Sequence, residues 1–427
     1  MSGAQADSAV WLVDQDKNGL SQPTPRLEAL AAAIRTFLPF IRCSCERIKS
    51  FRKLTEAFLS MIHPSTDRKC RWGILGAANI ARRNWLSILM SGNGEIGAVA
   101  SRDAERAALW IQECQAQHPF PLRPDAVGGY QELLDRPDID AVYIPLPTGL
   151  RKEWVLKAAQ AGKHVLCEKP CANSASDLAE MIEACDKAGV QFMDGVMFMH
   201  GERLPAMRAL LDDGKTVGEL RSISSQFSFC ADDSFLNGGD IRSQAKLEPF
   251  GCLGDLGWYN IRLSLWAMNW AKPLHVTGLA AQQTHEGVPI DFSGRIAFEG
   301  GCLASFYCSF VAHNQQWAVL SGSKGALRLD DFVLPFDGPE SRLTVSNTNF
   351  SIQGCEFRMQ SNDTVHSFPE HGSAHASAPD AKLFRQFAKL VLSGRRDRHW
   401  PDISLLTQRV LDALLQSARE GGVMQAI

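Results

Sequence analysis

From Cys70 onward the chain repeats one local pattern, a short apolar run, a turn and a helical stretch, and that alternation limits the folds open to it. "RWGILGAANIARRNWLSIL" reads as strand, tight turn and helix, and "EIGAVASRD" as a second strand. "DAVYIPLP" and "KHVLCEKP" are further short apolar strands, set between helical runs at "RKEWVLKAAQAG" and "SASDLAEMIEACDKAG". Strands alternating with helices form parallel βαβ units with right-handed crossovers, so residues from about 70 to 195 are expected to build a doubly wound parallel sheet.

After "QFMDGVMF" the rhythm changes. "RSISSQFSFC", "LHVTGLAAQQT", "IDFSGRIAFEGG", "CLASFYCSFVA" and "AVLSGSKGALRLDD" follow one another with Gly, Asn and Asp turns and few helices between them, the pattern of a large, mainly antiparallel sheet. Two amphipathic helices, "DAKLFRQFAKLVLSG" and "SLLTQRVLDALLQSAREGG", close the chain. The expected division is an α/β chain of two domains, 69–198 with the doubly wound sheet and 199–427 with the open sheet, the closing helices returning near the first. Residues 1–68 form an extension. Its first 25 residues read as disordered, and seven basic residues against Glu28 and Glu46 over 26–53 suggest amphipathic helix broken near Pro39.

Composition removes several function classes. The 427 residues carry a formal net charge of −3, without the basic excess that nucleic acid requires. No apolar run reaches the roughly 18 residues of a membrane span. The 12 cysteines lack any C-x-x-C pair or framework spacing, which indicates reduced thiols in the cytoplasm, or in an organelle if the extension is a transit segment. No metal site is expected; the cysteines of "CEKPC" have no histidine pair beside them.

Two stretches carry chemistry. "GAANIA" follows the first strand and opens a helix. Gly76, Ala78 and Ala81 fill the three small-residue slots of a dinucleotide turn, with Asn79 and Ile80 at the helix start, where free N–H groups and the positive dipole end attract phosphate. The end of the second strand sets the cofactor: Ser101 and Arg102 stand where an acid would hold a ribose hydroxyl, so NADP is expected over NAD, although Asp103 follows directly. The second stretch is "CEKPC". Ligands of such sheets lie beyond the strand ends, so Glu168 and Lys169 are expected to face the cofactor cleft, with Pro170 fixing the backbone. In "FGCLGDLGWYNIRL", Asp255 and Tyr259 are four apart on a helix face after Gly251 and Gly254. A lysine that favours a phenolate and a tyrosine that passes a proton are a workable pair for chemistry at a carbonyl. His200, Arg203, Asp240 and Arg242 are further substrate candidates, and Trp258 and Trp266 read as core.

The turn after the first strand, "VYIPLP", "EKP" and "G-x-L-x-D-x-G-x-Y", in that order, resemble the Gfo/Idh/MocA family of glucose–fructose oxidoreductase and inositol dehydrogenase. Among its branches, "QFMDGVMFMH", "GDIR" and "GSKGALRLDDF" look most like oxidoreductases related to dimeric dihydrodiol dehydrogenase and NADP-dependent xylose dehydrogenase. The resemblance implies a Rossmann domain followed by an α/β domain whose open sheet forms a homodimer interface. It implies Lys169 as the cleft lysine and Tyr259 as the proton-transfer residue with Asp255 nearby, acting on a sugar, polyol or cyclic diol. Cofactor contacts would come from Gly76, Ala78, Asn79, Ile80, Ser101, Arg102, Pro145, Leu146, Thr148, Glu168 and Lys169. Thr148 and Arg151 stand where relatives often have asparagine and histidine. Two other readings fit the same fold: a glycosidase that oxidises its substrate transiently, and a nicotinamide-binding sensor without turnover.

Overall fold

The structure, a computed structural model, describes residues 68–427, so the expectations for the extension lie outside the described residues. Residues 68–427 cluster as one compact unit built on two sheets. The first holds six parallel strands: β1 (Cys70–Leu75), β2 (Gly94–Ala100), β3 (Asp125–Val127), β4 (Ala141–Ile144), β5 (His164–Cys167) and β6 (Phe192–Asp194), in the order β3-β2-β1-β4-β5-β6. That is the Rossmann order, with its switch point between β1 and β4. β4 is buried at every residue, as parallel strands covered by helices on both faces must be. The intervening helices are α1 (Asn79–Ser91), α2 (Ala104–Gln117), α3 (Tyr130–Leu134), α4 (Thr148–Gln160) and α5 (Ala175–Lys187). Sequence reading passed over β3, whose three residues give no periodicity to detect.

After α6 (Arg203–Asp212) the second sheet begins. It comprises β7 (Leu220–Cys230), β8 (His275–Gln283), β9 (Pro289–Ala297), β10 (Leu303–Ser309), β11 (Val311–Gly322), β12 (Ala326–Leu329), β13 (Ser341–Gln353), β14 (Glu356–Phe368) and β15 (Gln425–Ala426). Their order is β14-β13-β12-β11-β7-β10-β9-β8-β15. The pairings are antiparallel except β7 with β10, so the sheet is mixed but mainly antiparallel. The β13–β14 hairpin, rich in Ser, Asn and Thr, was not expected from the sequence.

Helices cover one face only. α7 (Trp258–Ala267) lies on β7, where Asn260 Nδ2 donates to Ser225 Oγ at 2.9 Å, and α9 (His399–Arg419) lies on β8, where Ser417 Oγ accepts from Gly278 N–H at 2.9 Å. α8 (Pro379–Ser393) instead returns to the first sheet. Phe384 and Phe387 each lie 5.2 Å from the ring of Trp72 on β1, and Arg385 Nε donates to Ser91 O. The sheet's other face carries Thr277, Arg295, Ser305, Ser224, Val319, Arg328 and Thr344 in one cross-strand register; no helix of the described residues packs there in the way α7 and α9 cover the inner face.

Candidate active site

β5 (His164–Cys167) delivers Lys169 two residues past its carboxyl end, and the Lys169–Pro170 peptide that follows is cis. A π turn over Leu253–Gly257 leads into α7 and delivers Asp255 and Tyr259. The expected helix face is therefore a π turn at Asp255, with the regular helix starting at Trp258. The two segments meet closely because Gly254 has no side chain: a Cβ there would lie 3.1 Å from Pro170 Cγ and 2.6 Å from Phe250 Cβ.

Lys169 Nζ donates to Asp255 Oδ1 at 2.6 Å and to Asp255 O at 2.7 Å, and lies 4.8 Å from the centre of the Tyr259 ring. The amine at the end of β5 and the phenol of α7 converge, 90 positions apart in the chain. Arg242 Nε reaches the other carboxylate oxygen of Asp255 at 3.1 Å, so Asp255 bridges two cations. The Lys169 side chain is only 10% exposed and that of Asp255 22%.

Burial disfavours the charge on Lys169, yet Asp255, Tyr259 and Glu168 outweigh it and hold the ammonium above the usual lysine range. Burial likewise opposes the Asp255 carboxylate, and Lys169 followed by Arg242 pulls it below the usual carboxylate range. Tyr259 is pushed up by burial, with Lys169 acting in the opposite sense. At neutral pH the trio is ammonium, carboxylate and neutral phenol. Among the described residues, the phenol O–H has only Met197 Sδ as partner, at 3.7 Å, a weak acceptor that leaves it available.

Glu168, expected to face the cofactor cleft, is largely buried. It is 7% exposed, and Oε1 accepts from Tyr143 OH at 2.7 Å, which in turn accepts from Asn84 Nδ2 at 2.6 Å. Burial and the adjacent Glu168 raise the Tyr143 phenol well above its ordinary value, so it stays a donor. Thr148 is also turned inward: it is 1% exposed and occupied by Glu248 and Arg151. Of the other candidates, Arg242 reaches the site through Asp255 with Asp240 paired to it, whereas Arg203 and His200 are engaged elsewhere. Arg203 is buried against Asp331, and His200 stacks on Trp400 at 4.7 Å, its imidazole lowered to about 3 by burial, Arg262 and Lys382. Asp240 pairs with Arg242 at 3.4 Å. Trp258 and Trp266 are core, as expected.

The nucleotide end is open. Gly76 adopts φ +124°, a region that L side chains avoid, and a Cβ there would come within 3.1 Å of Leu146. Ala78 caps α1 without a side-chain bond, and Asn79 and Ile80 are exposed, so the first N–H groups of α1 face outward, as phosphate binding needs. Ser101 is buried beside exposed Arg102. Asp103, the residue that argued against NADP, is spent as the N-cap of α2, accepting from Glu105 N–H at 2.9 Å. Pro145 is buried next to Leu146.

Two functional supports escaped sequence reading. Asp194, at the end of β6, forms a wholly buried pair with Arg262 of α7, at 2.5 Å from Nη2 and 3.3 Å from Nη1, and Trp258 Nε1 donates to the same carboxylate at 3.2 Å. This ties Tyr259's helix to the first sheet. A charged Arg262 one turn after Tyr259 in a mainly apolar helix was the available signal. The other is the Glu248 contact with α4.

These two halves match known models: the oxidoreductase family with an NAD-binding Rossmann fold over residues 70–196, and the GFO/IDH/MocA C-terminal domain over 205–328. The chain belongs to the Gfo/Idh/MocA oxidoreductase family, as the motifs implied, and is a nicotinamide-dependent oxidoreductase. It is 36% identical over 267 residues to a dTDP-3,4-didehydro-2,6-dideoxy-α-D-glucose 3-reductase of Saccharopolyspora spinosa, spanning 62% of this chain and 76% of that protein. It is 27% identical to a D-xylose 1-dehydrogenase (NADP⁺) of Haloferax volcanii over 83% of this chain and 99% of the relative. The structure of KijD10, a 3-ketoreductase from Actinomadura kijaniata in complex with NADP and TDP-benzene, superposes with a TM-score of 0.68 at 28% identity, covering 82% of this chain and 98% of that one.

Proposed function

We propose that the chain interconverts a hydroxyl and a carbonyl group on a sugar, polyol or cyclic diol using NADP, with Tyr259 exchanging the proton and Lys169 supporting the oxygen. The convergence of the Lys169 amine and the Tyr259 phenol, in a chain whose first turn is open at Gly76, carries this reading. The exposed start of α1, Gly76, Ser101 and Arg102 fit a phosphorylated dinucleotide. Arg102 would hold the 2′-phosphate, since its guanidinium can pair bidentately and Asp103 is engaged elsewhere. The bound cofactor supplies or accepts the hydride.

The protein's part is proton management and alignment. In reduction, the neutral Tyr259 phenol donates its proton to the substrate oxygen; in oxidation it must take one, and the nearby ammonium favours the phenolate that can do so. Asp255 holds that ammonium charged and in place through two of its three donors. Residues 69–198 would hold the cofactor and 199–427 the substrate. The helix-free face of the second sheet, with Trp317, Val319 and Tyr307, suits pairing with a second copy. The described cysteines are all free thiols, in keeping with a reducing compartment such as the cytoplasm.

The test is a panel of sugars and diols, D-xylose among them, assayed with NADP⁺ and NAD⁺. Lys169→Ala and Tyr259→Phe should each lose turnover by roughly 100-fold or more while NADPH binding, read by fluorescence titration, persists. Full turnover in either variant would refute the assignment.

A further inference from the structure

Arg151 stands near the start of α4 with its guanidinium buried, at 6% side-chain exposure. Its Nε donates to Leu146 O at 2.7 Å, and its Nη1 donates both to Thr148 Oγ1 at 2.8 Å and to the carbonyl of Pro170. The second terminal nitrogen lies 3.8 Å from Glu248 Oε1. Glu248, 9% exposed, accepts the Thr148 N–H at 3.0 Å on Oε1 and the Thr148 hydroxyl at 2.5 Å on Oε2. Beside it, Gly149 N–H donates to Leu247 O at 3.0 Å.

From Glu248 the bonding continues toward the site. Gly251 N–H donates to Glu248 O and Gly254 N–H to Phe250 O, both at 3.2 Å, and Asp255 then meets Lys169. Lys169 is covalently joined to Pro170, so the path closes into a ring: Lys169–Pro170, Arg151, Thr148, Glu248, the 248–254 turn, Asp255 and back to the amine. A helix cap alone would need only Glu248 and Thr148. The bond from Arg151 to the Pro170 carbonyl serves no capping purpose, and only a planar multi-donor cation can meet all these acceptors together.

We infer that Arg151 and Glu248 are positioning residues, a buried latch that fixes the Lys169 segment of the first sheet against the turn bearing Asp255 and Tyr259. They touch neither reacting group; they set the distance between them. The inference rests on the proposed roles of Lys169 and Tyr259 for its kinetic part only.

The test compares Arg151→Gln and Glu248→Gln with the parent enzyme. Losing the latch should lower kcat roughly 10- to 100-fold, as small misplacements of reacting groups do, with the loss falling in kcat more than in KM for the sugar or diol. The double variant should fall no further than the worse single one, since both belong to one unit. Guanidinium ion at millimolar concentration should restore part of kcat in Arg151→Ala. Independently of turnover, amide hydrogen exchange with NADP⁺ bound should rise together in residues 167–171 and 248–259 of either variant. Exchange rising in one segment alone, or unchanged kcat in a folded Arg151→Gln, overturns the latch. Should Arg151→Gln not fold, Thr148→Val, which breaks the same ring at its hydroxyl, gives the same two readouts. If Lys169→Ala keeps full turnover, the reaction assignment fails, whereas the exchange comparison still decides the latch.

Discussion

Arg262→Met should be among the most destabilising substitutions in the molecule. Neither Arg262 nor Asp194 exposes any side-chain surface, and the Asp194 carboxylate accepts from three nitrogens, two of them on Arg262. Methionine removes the counter-charge and both of those donors, leaving a carboxylate in the interior with one indole N–H. Breaking a buried pair from one side costs about 3–5 kcal/mol, a large share of the roughly 5–15 kcal/mol that holds a typical domain folded. Asp194→Leu should cost a similar amount, because Arg262 would keep only Thr407 Oγ1, at 2.8 Å. The double variant discriminates. With both charges gone, the Trp258 N–H is left unpaired, a penalty of about 1–3 kcal/mol, while Thr407 Oγ1 loses the Arg262 donor but still donates to Ile403 O at 2.7 Å, so Arg262→Met/Asp194→Leu should be more stable than either single change. Urea unfolding followed by tryptophan fluorescence measures all three, with Trp258 as a local reporter. A single variant within about 1 kcal/mol of the parent, or a double variant as unstable as the sum of the singles, would refute the reasoning.

Four further outcomes are expected. The reduction rate should be flat from about pH 6 to 9 as far as the site trio is concerned. The Asp255 carboxylate is held below its usual range and is lost only as pH falls through that lowered value, the Lys169 ammonium is lost only as pH rises through its raised value, and the Tyr259 phenol titrates above its ordinary value. A pH-rate profile of Lys169→Met should then show the rising limb of the oxidation reaction moved to higher pH, since the ammonium acts to lower the Tyr259 value; a limb that stays in place would remove Lys169 from that role. Arg102→Glu should raise KM for NADPH about 10- to 100-fold, from roughly 1.5–3 kcal/mol of charge-assisted bonding, and leave NADH nearly unaffected, which steady-state kinetics would check. Trp317→Arg on the helix-free sheet face should convert a dimer to monomer in sedimentation velocity without loss of NADPH binding; an unchanged sedimentation coefficient would argue against pairing through that face.

The alternation of apolar runs with helical stretches determined the parallel sheet, because a strand that must be buried on both faces and a helix that must return over it leave few arrangements. The turn at Gly76, the lysine after β5 and the tyrosine of α7 were legible for the same local reason: each needs a residue type at a strand end or helix start, and sequence distance within each motif is short. What lay beyond the sequence was decided by contacts between distant segments. That Asp103 caps α2 instead of guarding the ribose, that Glu168 turns inward to Tyr143, and that Thr148 is sealed by Glu248 all depend on which partner the fold brings within hydrogen-bond distance. The Asp194–Arg262 pair and the ring through Arg151 join residues 68 and 97 positions apart. A charged group can lie in the interior only where the tertiary structure supplies its opposite, and no periodicity records that.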